Sequence, residues 1–496
     1  MYAVVTGKEM KMIDNYTIQT IGIPSLVLME RAAWSMVQRI LSEIETSTCI
    51  LSVCGAGNNG GDAIAVARIL YGMGYKASIF IAGEPEKWTD ETKKQIQIAR
   101  NIGVPEYNEL DLSSVHMVVD GLFGIGLSSD VREPYAGMIR QINGWKKTNQ
   151  HAQIWSVDIP SGVSSDTGQI LGVAIDADYT VTFGYKKRGI ILYPGRDLAG
   201  QCFVEDIGFP RSAEKIHKIK GFSMDMKDLS MLPFRKNDSN KGDYGKILII
   251  AGSKNMSGAA YFSGKAAYTV GAGLVRILTE EANRIILQTQ LPQAMISVWE
   301  EMTNEQLEDI INWADAVVIG PGIGTRGEMK IRMEKVLSMV KSPMLIDADG
   351  LNLLASEDMW YDKLSKHVIV TPHMAEMSRL TGKSIYDLKE DRAFSAETYA
   401  KNRELVCVLK DSSTVITNGE LICFNQTGNH GMATGGSGDV LSGVIGALLG
   451  MGMEPFEAAC LGTCIHGAAG DVAAKRFGER CMTSIELITG LIEVLR

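Results

Sequence analysis

The chain has 496 residues, 45% of them hydrophobic, enough for two α/β cores of ordinary size. Its 49 basic residues against 58 acidic ones leave a net charge of −9. That balance excludes broad electrostatic attraction to nucleic acid or an acidic membrane surface, though not a local site for a small anion.

The longest apolar stretch, residues 440–453, falls short of the roughly 20 residues that span a bilayer. It carries Gly443, Gly446, Gly450 and Gly452 and reads as a tightly packed core helix. The N-terminus lacks a basic segment followed by an apolar core, so no export signal is expected. None of the 8 cysteines forms a Cys-x-x-Cys pair, and the 7 histidines show no zinc spacing. Free buried thiols in a reducing, cytoplasmic compartment follow.

In chain order, residues 50–54 predict a strand, followed by a Gly-rich turn and a helix over 63–73. Residues 77–82 give a second strand and 89–102 a second helix. Further strands are expected at 117–120, 154–158, 179–183 and 202–204. Strands alternating with helices imply a mostly parallel sheet covered on both faces. Residues 211–240 turn polar and basic, with Met224, Met226, Leu229 and Met231 able to cover one helix face. The domain boundary is placed here: a first domain over 1–212, a linker over 213–234 and a second domain over 235–496. The second alternation runs from the strand at 246–251 and the helix at 258–270 through strands at 274–278, 316–319, 343–346, 368–370 and 406–409. It closes on glycine-studded helices.

Gly55-Ala56-Gly57-Asn58-Asn59-Gly60-Gly61-Asp62 lies between a strand and a helix and matches the Gly-x-Gly-x-x-Gly dinucleotide pattern, with Glu84 near the end of the next strand. A dehydrogenase would read this way. The paired Asn58-Asn59 and the following Gly-Gly-Asp are not part of that pattern. Free NH groups at a helix start still favour an anion. Asp120-Gly121-Leu122-Phe123-Gly124-Ile125-Gly126 and Asp158-Ile159-Pro160-Ser161-Gly162 follow two other strands. Strand carboxyl ends of an open α/β sheet converge on one crevice, so Asn59, Asp120, Asp158 and Ser161 are expected to meet there as an oxygen-rich cation or substrate site.

With Ile23-Pro24-Ser25-Leu26-Val27-Leu28-Met29-Glu30-Arg31-Ala32-Ala33 and Ala177-Asp178-Tyr179-Thr180-Val181-Thr182-Phe183-Gly184, these motifs resemble the NAD(P)H-hydrate epimerase family over about residues 1–210. The resemblance implies a Rossmann-like α/β/α domain that interconverts the R and S hydrates of NADH and NADPH (NADHX and NADPHX). It further implies that Asn58, Asn59, Gly60, Gly61 and Asp62 contact the nucleotide, and that Asn59, Asp120 and Ser161 hold K+. By the same resemblance, Gly124, Ile125, Gly126, Leu127, Ser128, Ser129, Asp130, Tyr135 and Asp158 face the substrate. Asp158, a carboxylate at a strand end beside the binding turn, is the expected acid/base.

Gly431-Met432-Ala433-Thr434-Gly435-Gly436-Ser437-Gly438-Asp439 runs straight into the apolar helix from Val440. Glycines before a helix make an anion nest, and Asp439 is placed to accept a proton from a substrate hydroxyl while Ser437 and Gly438 NH groups hold a phosphoryl group. No Gly-Lys-Ser/Thr follows, so this is not a Walker A loop. Gly-x-Gly-Asp before such a helix resembles the ribokinase-like superfamily. Lys241-Gly242-Asp243-Tyr244-Gly245-Lys246, Gly320-Pro321-Gly322-Ile323-Gly324, Asp347-Ala348-Asp349-Gly350-Leu351 and Thr371-Pro372-His373 narrow the resemblance to the ADP/ATP-dependent NAD(P)H-hydrate dehydratase family, over about residues 235–496. It implies that a nucleotide, ADP in bacterial-type members or else ATP, with Mg2+, phosphorylates the C6 hydroxyl of the S hydrate. Gly322, His373 and Asp439 then touch the hydrate, and Lys410, Asp411, Ser412, Ser413, Thr414 and Gly438 bind the adenine nucleotide. Asp411 stands where glycine is expected after the lysine, and Ala375 where glycine is common after Thr-Pro-His.

The expectation is thus a two-domain α/β metabolite-repair enzyme, assembled as a homo-oligomer, with no nucleic-acid or membrane partner. A ribokinase-like kinase of a small alcohol or vitamin is the enzymatic alternative. A first domain that only binds nucleotides is the non-enzymatic one.

Overall fold

Short apolar runs bounded by glycines become parallel strands in both halves of the computed structural model, which describes residues 1–496. Contacts divide the chain into Ala3–Lys220 on one side and Gly221–Arg496 with Met1–Tyr2 on the other.

In the first unit, helix α1 (Ser25–Leu41) precedes strand β1 (Cys49–Cys54), α2 (Asn58–Gly72), β2 (Lys76–Ile81), α3 (Asp90–Ile102), β3 (Glu106–Tyr107) and β4 (Met117–Gly121). Helix α4 (Tyr135–Thr148) and strands β5 (Gln153–Val157), β6 (Tyr179–Phe183) and β7 (Gln201–Glu205) complete it. The seven strands lie in the order β3-β2-β1-β4-β5-β6-β7, and every pairing is parallel. Alternate residues of β1 feed opposite cores: Ile50 and Cys54 pack with Ala63, Ile64 and Trp155, whereas Leu51 and Val53 pack with Val118, Ile139 and Ile142. Strand order reverses between β1 and β4, which opens a crevice at their carboxyl ends.

Helix α2 starts at Asn58, ahead of the expected 63. Apolar periodicity marks only the part of a helix that faces a core, and the first turn here is polar because it borders a cavity. Thr89 caps α3 through its side chain, accepting from the Thr92 NH at 3.3 Å.

The second unit opens on β8 (Gly221–Ser223), β9 (Lys246–Ile250), α5 (Ser257–Val270), β10 (Leu274–Thr279), β11 (Met295–Val298), β12 (Ala316–Ile319) and β13 (Met344–Ile346). It continues through β14 (Val368–Val370), α6 (Met374–Thr381), β15 (Val406–Leu409), β16 (Val415–Thr417), β17 (Ile422–Phe424), α7 (Ser437–Gly450), α8 (Pro455–Phe477) and α9 (Ser484–Val494). Its strands run β11-β10-β9-β12-β13-β14-β15-β16-β17-β8. Pairing is parallel from β11 to β15 and antiparallel through β16 and β17. Helix α7 is buried along most of its length. A Cβ at Gly446 would sit 2.3 Å from Val318 Cγ2, so glycine lets this helix lie directly on β12.

Residues 213–234, expected as a linker, carry structure. The short helix Ser212–Ile216 buries Ala213 against Val5, Met10 and Ile13 of the first unit. Strand β8 pairs in parallel with β17, while Met224, Leu229 and Met231 pack on the second core. A three-residue strand and a 3-10 turn at Met226–Met231 carry no clear hydrophobic period, which is why composition alone marks this stretch as polar chain. No helix is long and apolar enough to cross a membrane.

Candidate active sites

The carboxyl ends of β1, β4 and β5 open onto a cavity of about 710 Å³. Asn58, Asn59, Asp62, Gly124, Ile125, Gly126, Leu127, Tyr135 and Asp158 are on its wall, with Phe123, Lys187 and Asp14. Gly57, the residue before α2, is extended, and no side chain caps the helix, so its first amides are left for a ligand. Gly60 and Gly61 are buried and lie off the wall. A Cβ at Gly60 would come within 1.9 Å of the Gly55 carbonyl oxygen, so this glycine lets the turn close on itself. Gly60→Ala is expected to destabilise the first unit by about 1–3 kcal/mol, read as a lower thermal midpoint than that of the unsubstituted chain. Ser128, Ser129 and Asp130 are exposed and not on the cavity wall. Glu84 pairs with Lys87 on the surface and is not on the cavity wall.

Asp158 directly follows β5, in the left-handed backbone region at φ 63°, a conformation non-glycine residues hold only under constraint. Its NH donates to the Val181 carbonyl at 2.8 Å. Its Oδ1 accepts from Thr182 Oγ1 at 3.0 Å, from the Phe183 NH at 3.2 Å and from Lys187 Nζ. Lys187 is 1% exposed and spends its other protons on Thr182 Oγ1 at 2.9 Å and the Phe183 carbonyl at 3.1 Å. A short parallel pair, Val5 against Lys187, fixes its strand. Three donors on one oxygen fix the Asp158 carboxyl in place. Lys187 went unnoticed in the sequence because Lys186-Lys187-Arg188 reads as a solvated basic run.

Behind this wall Asp120 is fully buried. Its Oδ2 accepts from Ser156 Oγ at 2.8 Å and the Ser161 NH at 2.9 Å, and its Oδ1 from Ser161 Oγ at 2.5 Å. Asn59 Nδ2 donates to the Phe123 carbonyl at 3.0 Å, and the Phe123 NH donates to Ser161 Oγ at 2.8 Å. Burial pushes the Asp120 carboxyl up, opposed by these hydrogen bonds; all its hydrogen-bond partners are neutral. The oxygens gathered around one buried carboxyl are of the type that holds a hard cation.

In the second unit the carboxyl ends of β13, β14 and β15 meet the start of α7. Lys410 Nζ donates to Asp347 Oδ1 at 2.7 Å, and Ser442 Oγ of α7 donates to Asp347 Oδ2 at 2.7 Å. A Cβ at Gly438 would lie 3.5 Å from Lys410 Nζ, so the lysine and the glycine nest share one corner. Burial raises the Asp347 carboxyl, but Lys410, Ser442 and Thr371 outweigh it and hold the group below the ordinary carboxylate range. Asp439, in the first turn of α7, is pushed up to about 7 by burial and then by the Asp347 and Asp349 charges, against Lys410. His466 Nε2 lies 2.9 Å from the Ser437 carbonyl, and burial drops this imidazole to about 4, so it stays neutral and donates to the nest backbone.

His373 precedes α6 and caps it: Nδ1 accepts from the Ala375 NH at 3.1 Å, while the Glu376 carboxylate accepts from the His373 NH at 2.8 Å. Its backbone bridges to Lys410, whose NH donates to the Pro372 carbonyl at 2.8 Å. Gly322 is buried at φ 62° against Met256 and Ala259. Asp411, where glycine was expected, pairs with Arg392 Nε at 2.7 Å. Ser413 is buried, Thr414 Oγ1 donates to the Asp411 carbonyl at 3.3 Å, and Ser412 is exposed. Asp347 and His466 were missed as site residues: the first sat in a motif without an assigned role, the second in an apolar helix.

Two α/β units, each gathering acidic, basic and glycine-rich strand ends at one edge of its sheet, define an enzyme class with two nucleotide-type sites. Residues 25–189 match a family described as YjeF-related protein N-terminus, and residues 247–492 one described as NAD(P)H-hydrate dehydratase. The chain is 36% identical to the bifunctional NAD(P)H-hydrate repair enzyme Nnr of Thermofilum pendens, covering 98% of this chain and 95% of that protein. It is 38% identical to the enzyme of that name from Escherichia coli, over 96% of this chain and 90% of that protein. A ribokinase-like superfamily protein from Enterococcus faecalis superimposes with a TM-score of 0.51 at 26% identity, covering 56% of this chain and 95% of that one. The chain belongs to the bifunctional NAD(P)H-hydrate repair enzyme family.

Proposed function

We propose that the first unit interconverts the R and S hydrates of NADH and NADPH, and that the second dehydrates the S hydrate at the expense of ADP or ATP. The observation that carries this reading is the meeting of Asp439, Lys410 and Gly438 at one corner, with Asp158 held by three donors on a cavity of the first unit. The hydrate bears its hydroxyl on C6, beside the ring nitrogen. Asp439 takes the hydroxyl proton as the oxygen attacks the terminal phosphorus. Lys410 and the NH groups of Ser437 and Gly438 meet the charge that develops on the phosphoryl oxygens. With ADP as donor the leaving group is AMP. The ring nitrogen then expels phosphate from C6, and loss of a C5 proton restores the double bond of the dihydronicotinamide.

Asn59, Asp120 and Ser161 would hold K+, whose charge would compensate the buried Asp120 carboxyl. Mg2+ would arrive on the nucleotide phosphates, an ion that keeps most of its ligands as water and phosphate. Free cysteines throughout the chain suit a reducing cytoplasm, where the cofactor pool resides.

The test mixes R and S NADH hydrates with Mg2+, K+ and either ADP or ATP and follows the return of NADH absorbance. Complete recovery with one donor, slowed when K+ is replaced by a larger organic cation, is the expected result. Recovery that stalls at the S fraction reduces the first unit to a binding module. A stable phosphorylated product without NADH makes the second unit a small-molecule kinase.

A further inference from the structure

The cavity of the first unit holds a second carboxyl group whose setting is the reverse of Asp158's. Asp62, in the first turn of α2, lines the same wall as Asp158, Asp14 and Lys187. No hydrogen bond or ion pair reaches its carboxyl. Lys187 cannot supply one, because its protons are committed to Asp158, Thr182 and Phe183. On the α1 side, Arg68 is spent on Glu30, which also accepts from Gln95 Nε2. Lys11, an exposed residue of the same wall, makes no ion pair with Asp62. Asp62 therefore faces Asp158, Asp14 and Glu30 with no cation of its own.

We propose that Asp62 is the proton donor of the epimerisation, paired with Asp158 as the base. This rests on the reading of the first unit as an epimerase. Two carboxyl groups on one cavity wall, Asp158 held by three donors and Asp62 by none, form an acid–base pair. The surroundings sort the two groups: desolvation first, then the Asp158, Asp14 and Glu30 charges, raise the Asp62 carboxyl well above its ordinary value, with Lys187 opposing. Asp14, in the helix Gly7–Asn15, is raised as well, through burial and then Asp158 and Glu91.

Asp158 takes the proton of the C6 hydroxyl, the C6–N1 bond breaks, C6 becomes an aldehyde carbon, and N1 takes the proton of Asp62. After the aldehyde turns, N1 attacks its other face, returns its proton to Asp62, and the C6 oxygen recovers one from Asp158. Both carboxyls end as they began, with C6 inverted, and no oxidant or co-reactant is needed.

The experiment measures conversion of purified R hydrate to S across pH in the full chain, for the wild type, Asp62→Asn and Asp62→Glu. Dehydration of purified S hydrate in the same preparations reports that the chain is folded. The wild-type rate should fall toward alkaline pH as Asp62 loses its proton. Asp62→Asn should lower kcat about 10²-fold with little change in KM and abolish that alkaline limb. Asp62→Glu should restore part of the rate and the limb. A normal kcat with the limb retained in Asp62→Asn overturns the proposal, and so does a raised KM at unchanged kcat, which would make Asp62 a binding group. A wild-type chain that leaves R hydrate untouched overturns the epimerase reading itself, and the role of Asp62 with it.

Discussion

Asp439→Ala is expected to slow nucleotide-dependent dehydration of the S hydrate by about 10²–10⁴-fold, the range a positioned general base contributes. Epimerisation of the R hydrate in the same chain should be unchanged, because Asp439 belongs to the second unit and the cavity to the first. The wild-type dehydration rate carries a further signature. The base works only when deprotonated, and burial with Asp347 and Asp349 sets Asp439 at about 7. The rate should therefore rise with pH and level off above about 7, and the Ala variant should lose that dependence. Asp347→Asn removes a negative charge beside Asp439 and should move the rising limb to lower pH, while weakening nucleotide binding through the freed Lys410. Near-normal turnover in a folded Asp439→Ala chain would remove the base assignment.

Asp158→Ala should abolish epimerisation, a loss of similar size, and leave dehydration of the S hydrate at wild-type speed. Two consequences of the local structure sharpen this. Lys187 loses its carboxylate and remains a buried, unpaired cation, so part of the effect is the cost of that stranded charge. Asp158→Asn keeps the hydrogen bonds while removing the charge, and it should be as inactive as Ala if proton abstraction is the role. A chain supplied with mixed hydrates should then stop once the S fraction is consumed. Parallel loss of both activities would mean that the units do not act as separate sites.

Much of the fold was legible because parallel strands buried on both faces write themselves as apolar runs. At residues 316–319, 368–370 and 406–409 the expected bounds coincide with β12, β14 and β15. The strands β8, β11, β16 and β17 were not found. Among the residues named in advance, Asn58, Asn59, Asp62, Tyr135 and Asp158 share one cavity wall, and Lys410 and Gly438 share one corner. Ser128, Ser129, Asp130 and Ser412 are instead exposed.

The sequence by itself determined the two α/β alternations, the glycine turns that start α2 and α7, and the family, because these depend on local pattern and on backbone freedom at fixed positions. Only the tertiary structure decided which charges meet. Lys187 reaches Asp158 through a strand pairing, and Asp347 reaches Lys410 across the ends of separate strands. Proton affinity depends on burial and on charges brought together from distant parts of the chain, so the contrast between an Asp158 fixed by three donors and an unsupported Asp62 could not be read from residue order.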